Sequence, residues 1–430
     1  MSQEGAALFY AFMPKNNIKL LGKLAKLLGL DLPYLIKNSS FVLIRQVVGA
    51  ISGVILAIAF ARFTPIEVYG EYTFLFSIIS VAALTALPGM NTAILRSSAN
   101  KNDQGIIQGT RFRIKTSFIG SILTIAFLTL FQANLSPESR LAGILLAASL
   151  PLLYSFNSYP NFLLGKQRFD TASLYLSVSN VIIVTAQFFG IMFYNTLLPI
   201  IILFILSTVI SDIYLFSKSL KYKVNTKSDP QLISYGLLLT GATSLTYISR
   251  YIDKVIAGIF LGPSALAVYS IAKTIPDGII NNIKGLLNVS IVRYIPQGEW
   301  RSIEALRTHW LKLVIAGASL TIVSFVFFPI VYPILFSSTY QQSIQTATVL
   351  SLIFILHPLN ILFSNVVTFQ QKQAQIVFLS FFPSIPKIAL YFLLLPTYGI
   401  LGLAWAHVLG EVMLSSYFVY VYFVTKIHEK

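Results

Sequence analysis

The sequence predicts an all-α integral membrane protein with twelve transmembrane helices in two six-helix lobes. Its 430 residues are 56% hydrophobic and 11% charged, with a mean hydropathy of +0.75. Soluble domains carry roughly a quarter charged residues, so lipid is the only solvent that suits this surface. The apolar segments also run unbroken for about 20 residues, which is the length of a membrane-crossing helix, whereas barrel strands alternate over about 10.

The predicted spans are separated by short polar or turn-forming segments, and the tightest breaks fall near residues 195, 262 and 397. Asn195, Gly262–Pro263 and Pro396 followed by Gly399 supply the turn signals there. The twelve predicted spans are 38–62, 68–94, 114–134, 140–164, 171–194, 196–217, 231–261, 264–289, 309–335, 343–367, 374–396 and 399–425.

Basic residues favour alternate loops, and this distribution predicts that both termini lie in the cytoplasm. The outer loops hold only Arg62 and Arg140. The loops expected inside carry Lys101, Arg111, Arg113, Lys115, Lys166, Arg168, Lys218, Lys221, Lys223, Lys227, Arg293, Arg301, Arg307 and Lys372. This loop pattern accounts for the net charge of +16 without a nucleic-acid partner.

The spans and their polar connections divide the chain into four parts. Residues 1–36 form a basic amphipathic segment suited to the anionic cytoplasmic leaflet. Residues 37–217 form the amino-terminal lobe, 218–230 a cytoplasmic linker, and 231–430 the carboxy-terminal lobe.

Two neighbouring spans carry polar stripes at helical spacing, which is costly at bilayer depth unless the residues face protein or water. The eighth span presents Ser270, Lys273, Asp277, Asn281, Lys284 and Asn288 on one face, and the seventh presents Thr240, Thr243, Tyr247, Arg250 and Lys254. A hairpin that turns at Gly262–Pro263 would bring Asp253 level with Lys273 and Arg250 level with Asp277. An alternative interpretation is that these pairs are salt bridges that only hold the hairpin together, but it leaves Lys254 and Lys284 unpaired.

Charged residues in the spans give an electropositive interior. The candidate substrate-binding cations are Arg45, Arg250, Lys254, Lys273, Lys284 and Lys387. The candidate coupling or structural groups are Asp212, Asp253, Asp277, Glu411 and His407. Snorkelling to the interface is an alternative for Arg45 and Lys284, and His407 with Glu411 is either a proton relay or a structural pair. Cations in excess favour a phosphate-bearing anion.

Enzyme chemistry finds no support in the sequence. It contains no cysteine, no phosphate-binding loop, no zinc-protease or nucleophile motif, and no large extramembrane domain. No catalytic or metal-binding residue and no cofactor is therefore expected. Proton and sodium coupling both stay open.

Four local phrases resemble the Wzx-type polysaccharide flippases of the MOP exporter superfamily. They are YGEYTFLFSII, LPGMNTAILR, FLGPSALAVYSIAKTI and LPTYGILGLAWAHVLGE. The resemblance implies outward movement of undecaprenyl-diphosphate-linked oligosaccharide across the bacterial inner membrane by alternating access between two lobes. It implies a cavity cation role for Arg45, Arg250, Lys254 and Lys273. The partners it suggests are the lipid-linked oligosaccharide, the bilayer, and the polysaccharide polymerase and chain-length machinery.

Other functions fit the residues less well. A multidrug or other small-molecule exporter of the same superfamily is the alternative, although one for organic cations should have an acidic cavity. A lipid II flippase usually has two more spans. A polymerase or ligase needs a sizeable periplasmic loop, and a scaffold would not need matched polar stripes.

Overall fold

The described part of the chain is helical throughout. The computed structural model describes residues 32–130, 135–292, 299–369 and 373–427. Within these ranges it contains sixteen α-helices, three short 3-10 helices and no strand. The all-helical fold class is confirmed. Residues 1–31 of the predicted amphipathic segment lie outside the described ranges.

The helices are numbered here in chain order. They are α1 (Leu32–Phe63), α2 (Ile66–Ala82), α3 (Gly89–Ala99), α4 (Gly105–Leu130), α5 (Pro137–Ala148), α6 (Leu150–Ser155), α7 (Tyr159–Gly165), α8 (Phe169–Tyr194), α9 (Leu197–Ser219), α10 (Leu232–Ser249), α11 (Ile252–Val292), α12 (Glu299–Leu335), α13 (Ser343–Ser351), α14 (Ile353–Phe369), α15 (Gln373–Tyr398) and α16 (Ile400–Ile427). The 3-10 helices are Ala83–Ala86, Leu220–Tyr222 and Ser338–Tyr340.

Nine helical stretches of the described residues are long and apolar enough to cross a membrane, and two bent helix pairs raise the number to eleven. One of the nine, Leu232–Lys284, has 53 residues and turns at Gly262, so it contains the seventh and eighth predicted spans. The bent pairs correspond to the fourth and tenth spans, at 47° and 43°. The count of twelve and the cytoplasmic termini stay predictions.

The three predicted tight breaks are confirmed as left-handed backbone. Asn195 has φ 54° after α8, Gly262 has φ 83° inside α11, and Gly399 has φ 55° between α15 and α16. Glycine adopts this region without strain, and asparagine tolerates it better than most residues. Each residue therefore allows one apolar helix to end and the next to begin with almost no loop.

The second predicted span, 68–94, is broken, although the sequence predicts one continuous helix there. Leu87 has φ 53°, and Pro88 follows it before α3 begins. A proline disfavours helical geometry at the residue before it, which explains the position of the break. Arg113, expected in a cytoplasmic loop, instead lies within α4 with 3% of its surface exposed. Its guanidinium donates to the Ala86 carbonyl and to Asn91 Oδ1, both at 2.8 Å, and so stabilises the broken segment.

The seventh predicted span is also broken, at Arg250–Tyr251 between α10 and α11. The polar stripe expected to run continuously from Thr240 to Lys254 is therefore interrupted. Its last residue, Lys254, belongs to the first turn of α11, which begins at Ile252. Discontinuous helices at membrane depth occur where backbone is buried in protein or lines a cavity.

The two halves of the chain meet along five helices, because α11 packs against α1 and α2 while α10 packs against α3. Two glycines permit this close approach. A Cβ at Gly70 would lie 1.9 Å from the Pro263 carbonyl oxygen, and one at Gly89 would lie 2.5 Å from the Thr240 backbone nitrogen. The Gly89 N–H also donates to Thr240 Oγ1 at 3.1 Å.

The predicted linker 218–230 is held against the α3–α4 turn by Asp103, whose side chain is fully buried. Its carboxylate accepts hydrogen bonds from the Val224 N–H at 2.7 Å and the Asn225 N–H at 3.2 Å, and it pairs with Lys166. Burial alone would raise the pKa of this carboxyl, but the Lys166 hydrogen bond, then the bond from Val224, hold the pKa below its usual range. The ionised side chain thus anchors the linker.

The close contact at Gly70 gives a first prediction. In Gly70→Ala the added methyl group must push α2 away from Pro263, because backbone atoms occupy its place. The chain has no native cysteine, so Glu67→Cys with Ser264→Cys provides a clean crosslinking pair across this contact, where Ser264 Oγ donates to Glu67 Oε1 at 3.0 Å. Crosslinking by a short bismaleimide in membranes should fall several-fold in Gly70→Ala.

Gly49→Ala is the matched control, since a Cβ at Gly49 meets nothing within 4 Å. Its crosslinking yield should equal that of the parent pair. Equal yields in Gly70→Ala would show that this contact does not hold the two halves together.

Candidate functional site

The centre of the second half contains a buried carboxylate, Asp253, in the first turn of α11. Its Oδ2 atom receives Lys273 Nζ at 2.7 Å, the Tyr269 hydroxyl at 2.8 Å and His407 Nε2 at 2.9 Å. The Tyr391 hydroxyl lies 3.0 Å from the same His407 nitrogen. Asp253, Tyr269 and Tyr391 are fully buried, and Lys273 is 5% exposed. Since an isolated buried charge is very unfavourable, these partners make the carboxylate tolerable.

This carboxylate network joins four segments: the two parts of α11 on either side of Gly262, together with α15 and α16. The predicted Asp253–Lys273 contact across the Gly262 turn is present. The other predicted pair, Arg250 with Asp277, does not form an ion pair. The helix break removes Arg250 from the α11 helix, so the register used for the prediction does not extend to it.

His407 and Glu411, predicted as a pair, point to different partners. His407 joins Asp253, whereas Glu411 accepts from Asn360 Nδ2 at 2.7 Å and lies 3.2 Å from His357 Nδ1. Asn360 in turn accepts from the Ser415 hydroxyl at 2.9 Å. The pairing of His407 with Glu411 is thus corrected, because separate partners on α11 and α14 hold each side chain.

Five of the six predicted cations each lie within electrostatic range of at least one other. Lys387 interacts with Lys273 and Arg250, Lys284 with Arg250, and Lys254 with Lys273. Lys254 lies within electrostatic range of two acids, Asp253 and Asp277, and both of these also interact with Lys273. We call Arg250, Lys254, Lys273, Lys284 and Lys387 the cation cluster.

Within the described residues, the cation cluster has one direct salt bridge, from Lys273 to Asp253. Arg250, Lys254, Lys284 and Lys387 form none. Arg250 and Lys284 are exposed, and Lys254 and Lys387 are half-buried. Positive charge therefore exceeds negative charge here, and the surplus lies on exposed or half-buried side chains.

Two predicted residues lie apart from this cluster. Arg45 is half-buried on α1 and is not part of the cation cluster. Asp212 lies on α9 in the first half, 4% exposed, beside Ser179. The structure thus divides the predicted set between the two halves of the chain.

Several side chains at this site carried no signal in the sequence. Tyr251 packs on Tyr247 at the helix break, with ring centroids 5.6 Å apart, and Tyr154 of α6 lies within electrostatic range of both. Arg113 of the first half also lies within electrostatic range of Tyr247. Tyrosine is common in apolar spans, so its position gives no clue until tertiary contacts bring it to a charged site.

Solved structures with this arrangement of helices are transporters. The chain matches an inward-facing multidrug-resistance MATE transporter of the MOP superfamily with TM-score 0.68 and 16% identity, over 87% of this chain and 93% of that one. An outward-facing multidrug-resistance MATE transporter of the MOP superfamily matches with TM-score 0.63 and 14% identity, over 92% of this chain and 96% of that one. A MOP-superfamily transporter from Pyrococcus furiosus, described as having a binding pocket of reverse polarity, matches with TM-score 0.64 and 14% identity, over 92% and 96%.

The fold is therefore that of a MOP-superfamily membrane transporter. The family described as polysaccharide biosynthesis protein matches residues 35–292, which is more than half of the chain. The protein belongs to that family, in agreement with the flippase resemblance of its sequence. Both family and fold are those of membrane transporters rather than enzymes. No curated protein sequence matches the chain.

The carboxylate network gives a second prediction. Asp253→Asn should leave Lys273 without its counter-charge, and Lys273→Gln should leave Asp253 uncompensated. Removing one partner of a buried pair costs roughly 3–5 kcal/mol in soluble proteins. Each single variant should therefore melt at a lower temperature in detergent, monitored by tryptophan fluorescence.

The double variant should lose less stability than the sum of the two single losses, because it removes both charges together. Lys115→Gln, which changes an exposed lysine of α4 in the same way, should melt like the parent protein. Strictly additive losses at Asp253 and Lys273 would show that their contact contributes nothing.

Proposed function

We propose that the protein is a flippase for undecaprenyl-diphosphate-linked oligosaccharide. It moves this lipid from the cytoplasmic to the outer leaflet of the bacterial inner membrane for cell-surface polysaccharide synthesis. The observation that carries the proposal is the cation cluster, in which four of five members form no salt bridge with any described residue. The family supports a role in polysaccharide synthesis, and the transporter fold supports movement across a membrane.

The cation cluster suits a diphosphate on chemical grounds. Arg250 lies at a helix break and is exposed, so its guanidinium is available for bidentate contacts with phosphate oxygens. Lys254 lies in the first turn of α11, on the other side of the same break. Lys387 extends across Gly410, where a Cβ would lie 2.8 Å from its Cδ, and so remains directed at α16 and the network. The network thus positions the cluster while its outer members contact substrate.

Alternating access between the amino-terminal lobe (37–217) and the carboxy-terminal lobe (231–430) would carry the substrate across. The contact of α10 and α11 with α1, α2 and α3 is the surface that must separate. Linker 218–230 connects the lobes, and we place both termini in the cytoplasm. An inside-negative potential favours outward movement of each phosphate charge by about 2.3 kcal/mol per 100 mV.

A second candidate follows from the solved neighbours, which include multidrug MATE transporters. An exporter of small molecules would use the same lobes and the same surface of separation. The excess positive charge at the site disfavours organic cations as substrates. Purified protein that binds a cationic drug but not a lipid diphosphate would favour this second candidate.

The flippase proposal predicts that the exposed cations bind the lipid diphosphate. Arg250→Gln and Lys254→Gln should each weaken binding of undecaprenyl diphosphate to protein in nanodiscs by about 10- to 100-fold. One hydrogen bond to a charged group contributes about 1.5–3 kcal/mol, and each 1.4 kcal/mol is tenfold. Both variants should still insert and accumulate but fail to export polysaccharide in cells, whereas Lys254→Arg should keep partial activity.

Arg111→Gln is the matched control, because Arg111 is an exposed arginine on α4. It should bind and export like the parent protein. Undiminished lipid binding and export in the Arg250→Gln, Lys254→Gln double variant would exclude this role for the cation cluster.

A further inference from the structure

Most of the connection between the two halves of the chain is bound rather than free. After α9, the chain continues into the 3-10 helix Leu220–Tyr222, and the Arg168 guanidinium carbon lies 4.9 Å from the centre of the Tyr222 ring. Extended backbone begins at Lys223, with φ −71° and ψ 124°. The bridge between the halves is therefore the segment 223–231, and its nine residues could span roughly 30 Å if they were free.

Residues 223–227, which we call the strap, are docked on the turn between α3 and α4. The buried Asp103 carboxylate accepts the backbone N–H groups of Val224 at 2.7 Å and Asn225 at 3.2 Å. In return, the Asn225 side-chain oxygen accepts the Asp103 N–H at 3.3 Å, and its side-chain nitrogen donates to the Lys101 carbonyl at 2.9 Å. This reciprocal pairing of backbone and side-chain groups fixes the register of the strap on the turn.

Further bonds hold both ends of the strap. Lys223 Nζ donates to Gln104 Oε1 at 2.6 Å, and the Gln104 N–H donates to the Lys227 carbonyl at 3.0 Å. The turn that receives these bonds is itself fixed, because Lys166 after α7 pairs with the fully buried Asp103 carboxylate. The strap therefore belongs structurally to the first half of the chain.

The chain becomes part of the second half almost immediately after the strap. The Asp229 side chain accepts the Gln231 N–H at 3.0 Å and so belongs to the turn that begins α10. Pro230 fixes its own φ and restricts the residue before it, which stiffens this turn. Between the docked Lys227 carbonyl and Asp229 lies one exposed residue, Ser228. Two residue steps of extended chain cover at most about 7 Å.

The start of α10 lies against the same part of the first half. Leu232 is 1% exposed, and the other buried members of its apolar cluster, including Met90 and Phe162, belong to the first half. The Arg96 guanidinium carbon lies 4.6 Å from the centre of the Tyr235 ring. Apolar packing therefore contributes to this contact, and a test of the strap needs variants that change the strap alone.

We propose that the strap stays docked on the first half and that Ser228 acts as a one-residue pivot. The pivot keeps the start of α10 beside the α3–α4 turn while the two halves of the chain move against each other. The docked strap leaves one residue free where an undocked linker would leave nine, so the halves can rotate at this end but separate little. The movement rests on the proposed alternating access, whereas the docking and the pivot do not.

Spin labels can measure the separation at this end directly, because the chain has no native cysteine. Asn100→Cys and Ser234→Cys place labels at exposed positions at the end of α3 and on the first turn of α10. Double electron–electron resonance on the full-length protein in nanodiscs gives the distribution of distances between the two labels. Hydrogen exchange of the peptide that contains Val224 and Asn225 reports whether the strap is docked.

The labelled parent protein should give one narrow distance distribution and slow exchange of the Val224 and Asn225 amides. Asp103→Ala should broaden the distribution. It should also make the two amides exchange about tenfold faster or more, since each loses a hydrogen bond to a charged group. Asp170→Ala, which removes an exposed acid of α8, should match the parent protein in both measurements.

A Gly-Ser-Gly-Ser-Gly-Ser insertion after Ser228 lengthens the pivot without changing a docked residue. The exchange of the strap amides should stay slow, while the distance distribution should extend to longer distances. This variant keeps the test decisive if Asp103→Ala accumulates poorly.

Fast amide exchange of the strap in the parent protein, or a distance distribution that the insertion leaves unchanged, would overturn the proposal. Neither measurement involves a lipid diphosphate, so such a failure would leave the flippase proposal standing. Conversely, loss of lipid binding in the cation-cluster variants would leave the docking and the pivot untouched.

Discussion

A carboxylate that no solvent reaches can persist in a membrane protein only if nearby groups compensate its charge. Asp253 meets this condition through a lysine, a histidine and a tyrosine that converge on one oxygen atom. Asp253 lies before the Gly262 turn, whereas the lysine and the tyrosine come from after it and the histidine from α16, while Tyr391 of α15 supports the histidine. The compensation of a single charge therefore orders the middle of the second half.

The same constraint explains how the site can be electropositive. Lys273 is used to neutralise Asp253, and Glu411 is held by His357 and Asn360. Among the described residues, the remaining cations have no acid in salt-bridge contact, and Arg250 and Lys254 lie on either side of the break between α10 and α11. Positive charge therefore exceeds negative charge around these side chains of the second half.

Much of this architecture follows from the sequence, since twenty apolar residues in lipid must form a helix and glycine or asparagine permits abrupt turns. The turns at Asn195, Gly262 and Gly399 could thus be located by residue type alone. The Asp253–Lys273 contact followed from counting residues on either side of Gly262.

Other features depend on tertiary contacts that no local pattern encodes. The break at Arg250–Tyr251 contains neither glycine nor proline, so an uninterrupted apolar helix was the reasonable expectation. In the sequence, Arg113 resembles any cytoplasmic-loop cation. Only the folded chain places it beside the Ala86 carbonyl, which the break at Leu87 leaves free to accept its hydrogen bond. Likewise, the spacing of His407 and Glu411 suggested one pair, but packing against α11 and α14 gave each side chain its own partner.

The central claim is that a lipid-linked diphosphate binds at the cation cluster. Its most direct test is a cryo-electron microscopy structure of the protein in nanodiscs saturated with an undecaprenyl-diphosphate oligosaccharide. Our account predicts two phosphate densities within hydrogen-bond distance of Arg250 and Lys254, with the Asp253–Lys273 contact intact. Phosphate density elsewhere on the protein, with the cation cluster unoccupied, would contradict it.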